Sequence, residues 1–292
     1  MYYNPKIDFA FKKLFGSKEN TDILLALLNS ILDSRPPILQ IELINPYCQG
    51  LMPNDKSVVL DIRAQDEQGR QYHIEMQVNR EIEYDQRALY YWSKLYQQQL
   101  QKGDDYGRLK KSISIHILNF DFFNEEPGYH HIFRLMHMDS KKVYFEDLEL
   151  HFIELECFKK TNPALLNALD RWVAFLSRAT EYDPAHLPTP LAKDPHITRA
   201  FEALGTLSLN DTEKAWYDAS EQWLMDQAFI LRKVLEKGRE EGREEGREEG
   251  EQATAQKIAQ KLVATGQSPE SIAAWTGLSL AQIQALSSTA SS

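Results

Sequence analysis

Three side chains sit where their chemistry is physically odd. Asp61 follows Val58, Val59 and Leu60 and precedes Ile62, an apolar stretch in which a carboxylate is costly unless it is paired or holds a cation. Glu75 and Gln77 lie in residues 70–78. Period-two alternation there puts Gln71, His73, Glu75 and Gln77 on one face and Tyr72, Ile74, Met76 and Val78 on the other. The second face suits a core. The first sets a carboxylate and a carboxamide one pleat apart. Residues 66–69 are polar and turn-forming, so the two stretches read as a hairpin whose turn brings Asp61 towards Glu75. Two carboxylates converging at a sheet edge suit Mg2+, which takes oxygen ligands and keeps part of its water shell. Such an ion neutralises charge on a scissile phosphate and lowers the pKa of a bound water, which a neighbouring polar side chain can orient. The pattern D-x13-E-x-Q supplies the parts that phosphodiester hydrolysis needs.

The elements that must hold these residues follow from periodicity. Residues 8–32 have helical spacing, with Phe9, Phe11, Leu14 and Phe15 before Gly16, and Ile23, Leu24, Leu27, Leu28 and Ile31 after it. Pro36 and Pro37 end this region. Residues 38–44, 58–64 and 70–78 read as strands, and 81–101 as a long helix closed by Gly103 and Gly107. Residues 112–120, with Ile113, Ile115 and Ile117 alternating, form a fourth strand, and 143–153 hold another. Helix, three strands, helix, strand and strand predict an α/β fold with a mixed central sheet. Residues 161–235 look mostly helical, interrupted over 182–195 by Pro184, Pro188, Pro190 and Pro195.

Residues 238–250 read GREEGREEGREEG, the one internal repeat. Each glycine opposes helix by roughly 1 kcal/mol, while Arg and Glu three or four apart support it. The repeat reads as a charged linker or helix; close association of protomers through its glycine face is the sharper alternative. Beyond it, Ser268 before Pro269 and Ser279 before Leu280 start two short helices in a helix-turn-helix-like pattern. Residues 280–286 offer only Gln282 and Gln284 to a base edge, with no Lys or Arg, which favours a packing or dimerisation module over a DNA reader. The expected divisions are a core over 1–160, a helical extension over 161–237, the repeat over 238–252 and a small helical module over 253–288.

The net charge of -10 argues against a passive nucleic-acid coat but not against an enzyme with local positive patches. Cys48 and Cys157 are far apart and offer neither a disulfide framework nor a thiolate zinc site. No leader-like start and no bilayer-length apolar run are present, so a cytoplasmic protein that does not engage membranes is expected. No glycine-rich phosphate loop and no Ser-His-Asp or Cys-His arrangement occurs. His73 shares the polar face as a hydrogen-bonding residue, and His130 and His131 read as structural or exposed.

The chain resembles the recombination-promoting nuclease (Rpn, or putative-transposase) family of the PD-(D/E)xK superfamily. The resemblance rests on residues 8–16, DFAFKKLFG; on Leu60-Asp61-Ile62; on residues 73–78, HIEMQV; on residues 87–96, RALYYWSKLY; and on the Gly-Arg-Glu-Glu tail. It is specific over roughly the first 125 residues. It implies a restriction-endonuclease-like core, with a mixed central sheet flanked by helices and a helical C-terminal extension, acting as a metal-dependent DNA endonuclease. Asp61 and Glu75 would ligate Mg2+ (or Mn2+), helped by the backbone carbonyl of Met76. Gln77 would occupy the superfamily's lysine position, orienting water without carrying charge. Asp8 would be an accessory acid, and Arg87 and Tyr91, one helical turn apart, would face the site and touch phosphate. The partners implied are DNA and a second copy of the chain. The alternative is a catalytically weak or inactive nuclease fold acting as a DNA-binding or oligomeric interaction protein.

Overall fold

The computed structural model describes residues 2–33, 36–45, 62–124, 126–160, 164–165, 167–183 and 185–289. Asp61, Cys48 and the first part of the expected 58–64 strand lie outside them. The apolar spacing of residues 8–32 becomes two helices, α1 (Asp8–Phe15) and α2 (Thr21–Leu32). They bury Phe11, Leu14 and Phe15, and Ile23, Leu24, Leu27, Leu28 and Ile31, respectively. Burial of each such large side chain is worth about 1.5–3 kcal/mol.

Six strands form one sheet. They are β1 (Ile41–Leu43), β2 (Ile62–Asp66), β3 (Gln71–Gln77), β4 (Ser112–Leu118), β5 (His130–Met136) and β6 (Val143–Glu154), in the order β1-β2-β3-β4-β6-β5. The β1–β2, β2–β3 and β5–β6 pairs are antiparallel; β3–β4 and β4–β6 are parallel. A parallel pair needs a crossover, and α3 (Tyr84–Gln97) supplies it between β3 and β4. The β2–β3 turn is built by Asp66, whose Oδ1 accepts from the backbone N–H of Gln68 and of Arg70, both at 2.9 Å. Gly69 follows at φ +83°, which glycine adopts without steric cost. This turn sets Ile62 opposite Ile74 and Arg63 opposite His73.

The two sheet faces differ in what covers them. Tyr72, Ile74, Ile113, Ile115, Ile117 and Ile153 pack against α1, α2, α4 (Ala168–Arg178) and α6 (Pro195–Gly205), through Phe15, Leu27, Trp172, Phe175 and Phe201. Tyr84 and Ala88 of α3 cover the other face over Leu118, Leu150 and Phe152. Strand β4 is therefore buried on both faces along its whole length, polar residues included. Strand β5 has no counterpart among the strands expected from sequence. Within the proline-rich 182–195 stretch a short helix forms, α5 (Thr189–Ala192), and Asp194 caps α6 by accepting from the N–H groups of His196 and Ile197.

The chain divides into two units, Met1–Glu221 and Gln222–Ser292. Helix α7 (Asp211–Ala264) runs through the boundary and includes the whole Gly-Arg-Glu-Glu repeat, which is thus helix. In the second unit, the end of α7 packs with α8 (Pro269–Thr276) and α9 (Leu280–Thr289) around Ala259, Ile272, Leu278 and Ile283. Ser268 caps α8 with Pro269 at its first position. Ser279 and Gln282 cap each other's backbone at the start of α9, which draws Gln282 into the cap.

Candidate functional site

Strand β3 divides its side chains as alternation requires: Tyr72, Ile74 and Met76 go to the main core, while His73, Glu75 and Gln77 face α3. The partner strand adds to that polar face, because the parallel register aligns Glu75 with His116 and His73 with Ser114. Helix α3 crosses above with Tyr84, Arg87 and Tyr91 one turn apart. Arg87 ties the cluster together. Its Nη2 donates to Glu75 Oε1 at 2.6 Å and to Gln77 Oε1 at 2.7 Å, and its Nη1 donates to Glu81. Gln77 Nε2 in turn donates to the Asn79 carbonyl at 3.0 Å and to Glu81 Oε1 at 3.1 Å. The guanidinium lies over the rings of Tyr84 and Tyr91, 4.9 and 5.9 Å from their centroids, and Tyr91 also meets the His73 ring at 5.8 Å.

Glu75 is mostly buried, its side chain only 13% exposed. Burial alone would raise its pKa. The close approach and charge of His116 and the charge of Arg87 outweigh burial and hold it below the usual value, so it is a carboxylate. Its Oε2 is buried and makes no hydrogen bond among the described residues; His116 Nδ1 stands 3.5 Å away. A buried anionic oxygen in want of a partner is a donor that suits a hard divalent cation. Asp8, in the first turn of α1, behaves oppositely. Its surface is open to solvent, but protein rings it on most sides. That burial, then the charge of Glu75, push its pKa up to about 6 against the lowering effect of Arg87. Ile7, not Asp8, occupies the cap position of α1.

The residues anticipated from sequence thus fall into three groups. Glu75, Gln77, Arg87 and Tyr91 are brought together. Asp8 is near enough to feel the charges of Glu75 and Arg87. Asp61 lies outside the described residues. Sequence reasoning passed over His116, Tyr84 and Glu81. The signal for His116 was present, since Ser112, Ser114 and His116 alternate with Ile113, Ile115 and Ile117.

A model of the PD-(D/E)XK nuclease family transposases matches residues 5–234. The chain belongs to this family. No curated protein and no solved structure matches it. Membership accounts for the restriction-endonuclease-like arrangement of α1, three antiparallel strands, the α3 crossover and β4. It also brings a nuclease-type function, and PD-(D/E)XK nucleases generally use divalent metal ions.

A second group with metal-binding atoms lies at the ends of β4 and β6. Asp121, Glu154 and Cys157 bring their ligand atoms within 4.8 Å of one another. Its chemistry is already committed. Glu154 Oε1 accepts from the N–H groups of Phe122 and Phe123 at 2.5 and 2.9 Å, and Oε2 is 3.0 Å from His131 Nε2. Burial, with Glu154 and Asp121, pushes the Cys157 thiol up to about 11, so it stays protonated at neutral pH. This group holds the loop after β4. No helix among the described residues is long and apolar enough to cross a membrane.

Proposed function

We propose that this chain is a Mg2+-dependent DNA endonuclease of the cytoplasm, working as a homodimer, with its centre at Asp61, Glu75 and Gln77. The observation that carries the reading is Glu75: an ionised, nearly buried carboxylate with one oxygen engaged by Arg87 and the other without a hydrogen bond. Asp61 precedes Ile62, and Glu75 follows Ile74, with which Ile62 pairs. Extending that ladder by one step would set the two carboxylates opposite each other. Asp61, Glu75 and the Met76 carbonyl would hold the ion, with Mn2+ as a substitute. When bound, it supplies charge neutralisation at phosphate and a water of lowered pKa.

The remaining work falls to this chain's own groups. Gln77 offers an amide to orient the attacking water. Arg87 stays charged at any working pH, its pKa raised by Glu75 and Glu81 in spite of burial. It can meet a phosphate oxygen from α3, with Tyr91 beside it. Asp8, with its pKa near 6, is an accessory acid able to exchange a proton near neutral pH.

The test is cleavage of supercoiled and linear DNA in Mg2+, Ca2+ or EDTA. Cutting in Mg2+ alone is expected, with Glu75→Ala and Asp61→Ala each reducing it on the order of a hundredfold or more. An Asp61→Ala variant as active as the parent overturns the ligand assignment. DNA binding without metal-dependent cleavage supports the catalytically silent alternative.

A further inference from the structure

We propose that Tyr84 and His116 are positioning residues for Glu75, forming a buried chain that fixes the carboxylate's orientation for cation binding. The inference rests on the reading of Glu75 as a metal ligand. His116 has no exposed surface and lies beside Glu75 in the parallel ladder. Its ring stacks on Phe152, with centroids 4.9 Å apart and planes at 17°, and Tyr84 meets it edge-on at 5.6 Å. Both neighbours are themselves buried, so the imidazole is held at a fixed angle.

Its Nδ1 lies 2.9 Å from the Tyr84 hydroxyl and 3.5 Å from Glu75 Oε2, while Nε2 makes no hydrogen bond among the described residues. Two neutral tautomers could fill this space. If Nδ1 were bare, its lone pair would face a carboxylate oxygen and repel it. If Nδ1 carries the proton, its N–H can donate to the Tyr84 oxygen 2.9 Å away and sets a positive hydrogen, not a lone pair, on the side of the ring near Glu75. The charge on Glu75 therefore selects the Nδ1–H form. Glu75 is then held at Oε1 by Arg87 from α3, while the His116 dipole from β4 lies 3.5 Å from Oε2 and leaves that oxygen without a hydrogen bond among the described residues. A carboxylate locked in this way loses little conformational freedom when a cation arrives, and its supporting partners tune affinity without touching the ion.

The experiment is calorimetric titration of the full-length protein with Mn2+, alongside cleavage kinetics. The variants are His116→Phe, which keeps the ring and removes the N–H; His116→Asn, which returns a donor near the Nδ1 position; and Tyr84→Phe. Glu75→Gln is the control. His116→Phe and Tyr84→Phe are expected to weaken Mn2+ binding about tenfold to a hundredfold. KM for DNA at saturating Mn2+ should stay unchanged, and His116→Asn should recover most of the lost affinity. Thermal unfolding establishes which variants are folded. Mn2+ affinity within twofold of the parent in a folded His116→Phe protein overturns the proposal, as does failure of His116→Asn to recover it. Should His116→Phe not fold, Tyr84→Phe decides alone, and unchanged affinity overturns. Binding lost in Glu75→Gln but kept in the other variants sinks this inference and spares the metal-site reading. No Mn2+ binding by the parent overturns both.

Discussion

Two carboxylates near one another, Glu75 and Asp8, are driven in opposite directions by their surroundings. Glu75 has a guanidinium on one oxygen and an imidazole beside the other, which together outweigh its burial. Asp8 gains less from Arg87 than it loses to burial and to the charge of Glu75. A carboxyl whose folded pKa is raised to about 6 from 3.8 contributes nothing unfavourable below the lower value. Its cost grows as pH rises between the two and is complete above the higher. Asp8→Asn should therefore raise the thermal midpoint at pH 7.5 in EDTA by a few degrees. That is about 1 kcal/mol once solvent screening at an exposed group is allowed for. The gain should fade by pH 4, and a gain of equal size at both pH values would refute the coupling. Gln77 poses the other question at this scale. The positive charge near it comes from Arg87, whose Nη2 bonds Gln77 and Glu75 at once. Gln77→Lys and Arg87→Gln should each lower cleavage, and the double variant should lie above the product of the two losses by about 1 kcal/mol or more of coupling. Strict additivity would show that the two positions do not share one charge. Glu75 and Gln77 were legible in sequence because a strand with one apolar face separates its residues cleanly. His116 shares the same alternation with Ser112 and Ser114, but β4 is buried on both faces, so its polar set does not announce which face carries a site.

At the scale of elements, what sequence made visible was amphipathicity, and what it concealed was structure without it. Strands β3 and β4 and helices α1 to α3 each bury one apolar set and were found within a few residues of their ends. Strand β5 was missed because Ile132, Phe133, Leu135 and Met136 are all exposed, so residues pointing to both faces look alike and no period emerges. Its pairing with β6 also shifts register around Leu135. The Gly-Arg-Glu-Glu repeat misleads in another way. Glycine every four residues argues against helix on propensity, yet 238–250 lie inside α7. Neighbouring ion pairs, Lys237 with Glu241 and Arg247 with Glu251, link successive turns, and no proline interrupts them. A methyl group built on Gly238, Gly242, Gly246 or Gly250 meets nothing within 4 Å, and none of these glycines has a positive φ. Replacing all four with Ala should therefore stabilise this stretch by roughly 1 kcal/mol per site. Amide hydrogen exchange across 238–250 should slow several-fold for each substitution. Exchange that stays the same or quickens would mean the glycines are kept for a contact that only they allow.

At the scale of the whole molecule, the match to the nuclease family ends at residue 234, inside α7 and before the repeat. The candidate site belongs to the unit Met1–Glu221. The rest of α7 carries an unusual load for a helix with a charged sequence. Trp223 and Ile230, seven residues apart, are 50% and 53% exposed, and Val234 continues the same face. Apolar residues at that spacing form the seam along which two helices pack, and large exposed side chains gain most from a partner. A second copy offers the identical seam, as a two-fold interface requires. This has a consequence for the reaction. A chain with one hydrolytic centre cuts one strand per binding event, whereas two coupled centres can cut both strands before release. A dimer formed along this seam should convert supercoiled DNA to linear product with little nicked intermediate. Trp223→Glu combined with Ile230→Glu should halve the mass measured by light scattering. It should leave single-strand nicking within a few-fold of the parent and make nicked circles accumulate before linear DNA. The two substitutions lie outside the unit that holds Glu75, so loss of nicking would point to damage beyond the seam. A variant that keeps the parent mass, or a monomer that still linearises DNA in one step, would show that the exposed face of α7 does not pair the two cutting centres.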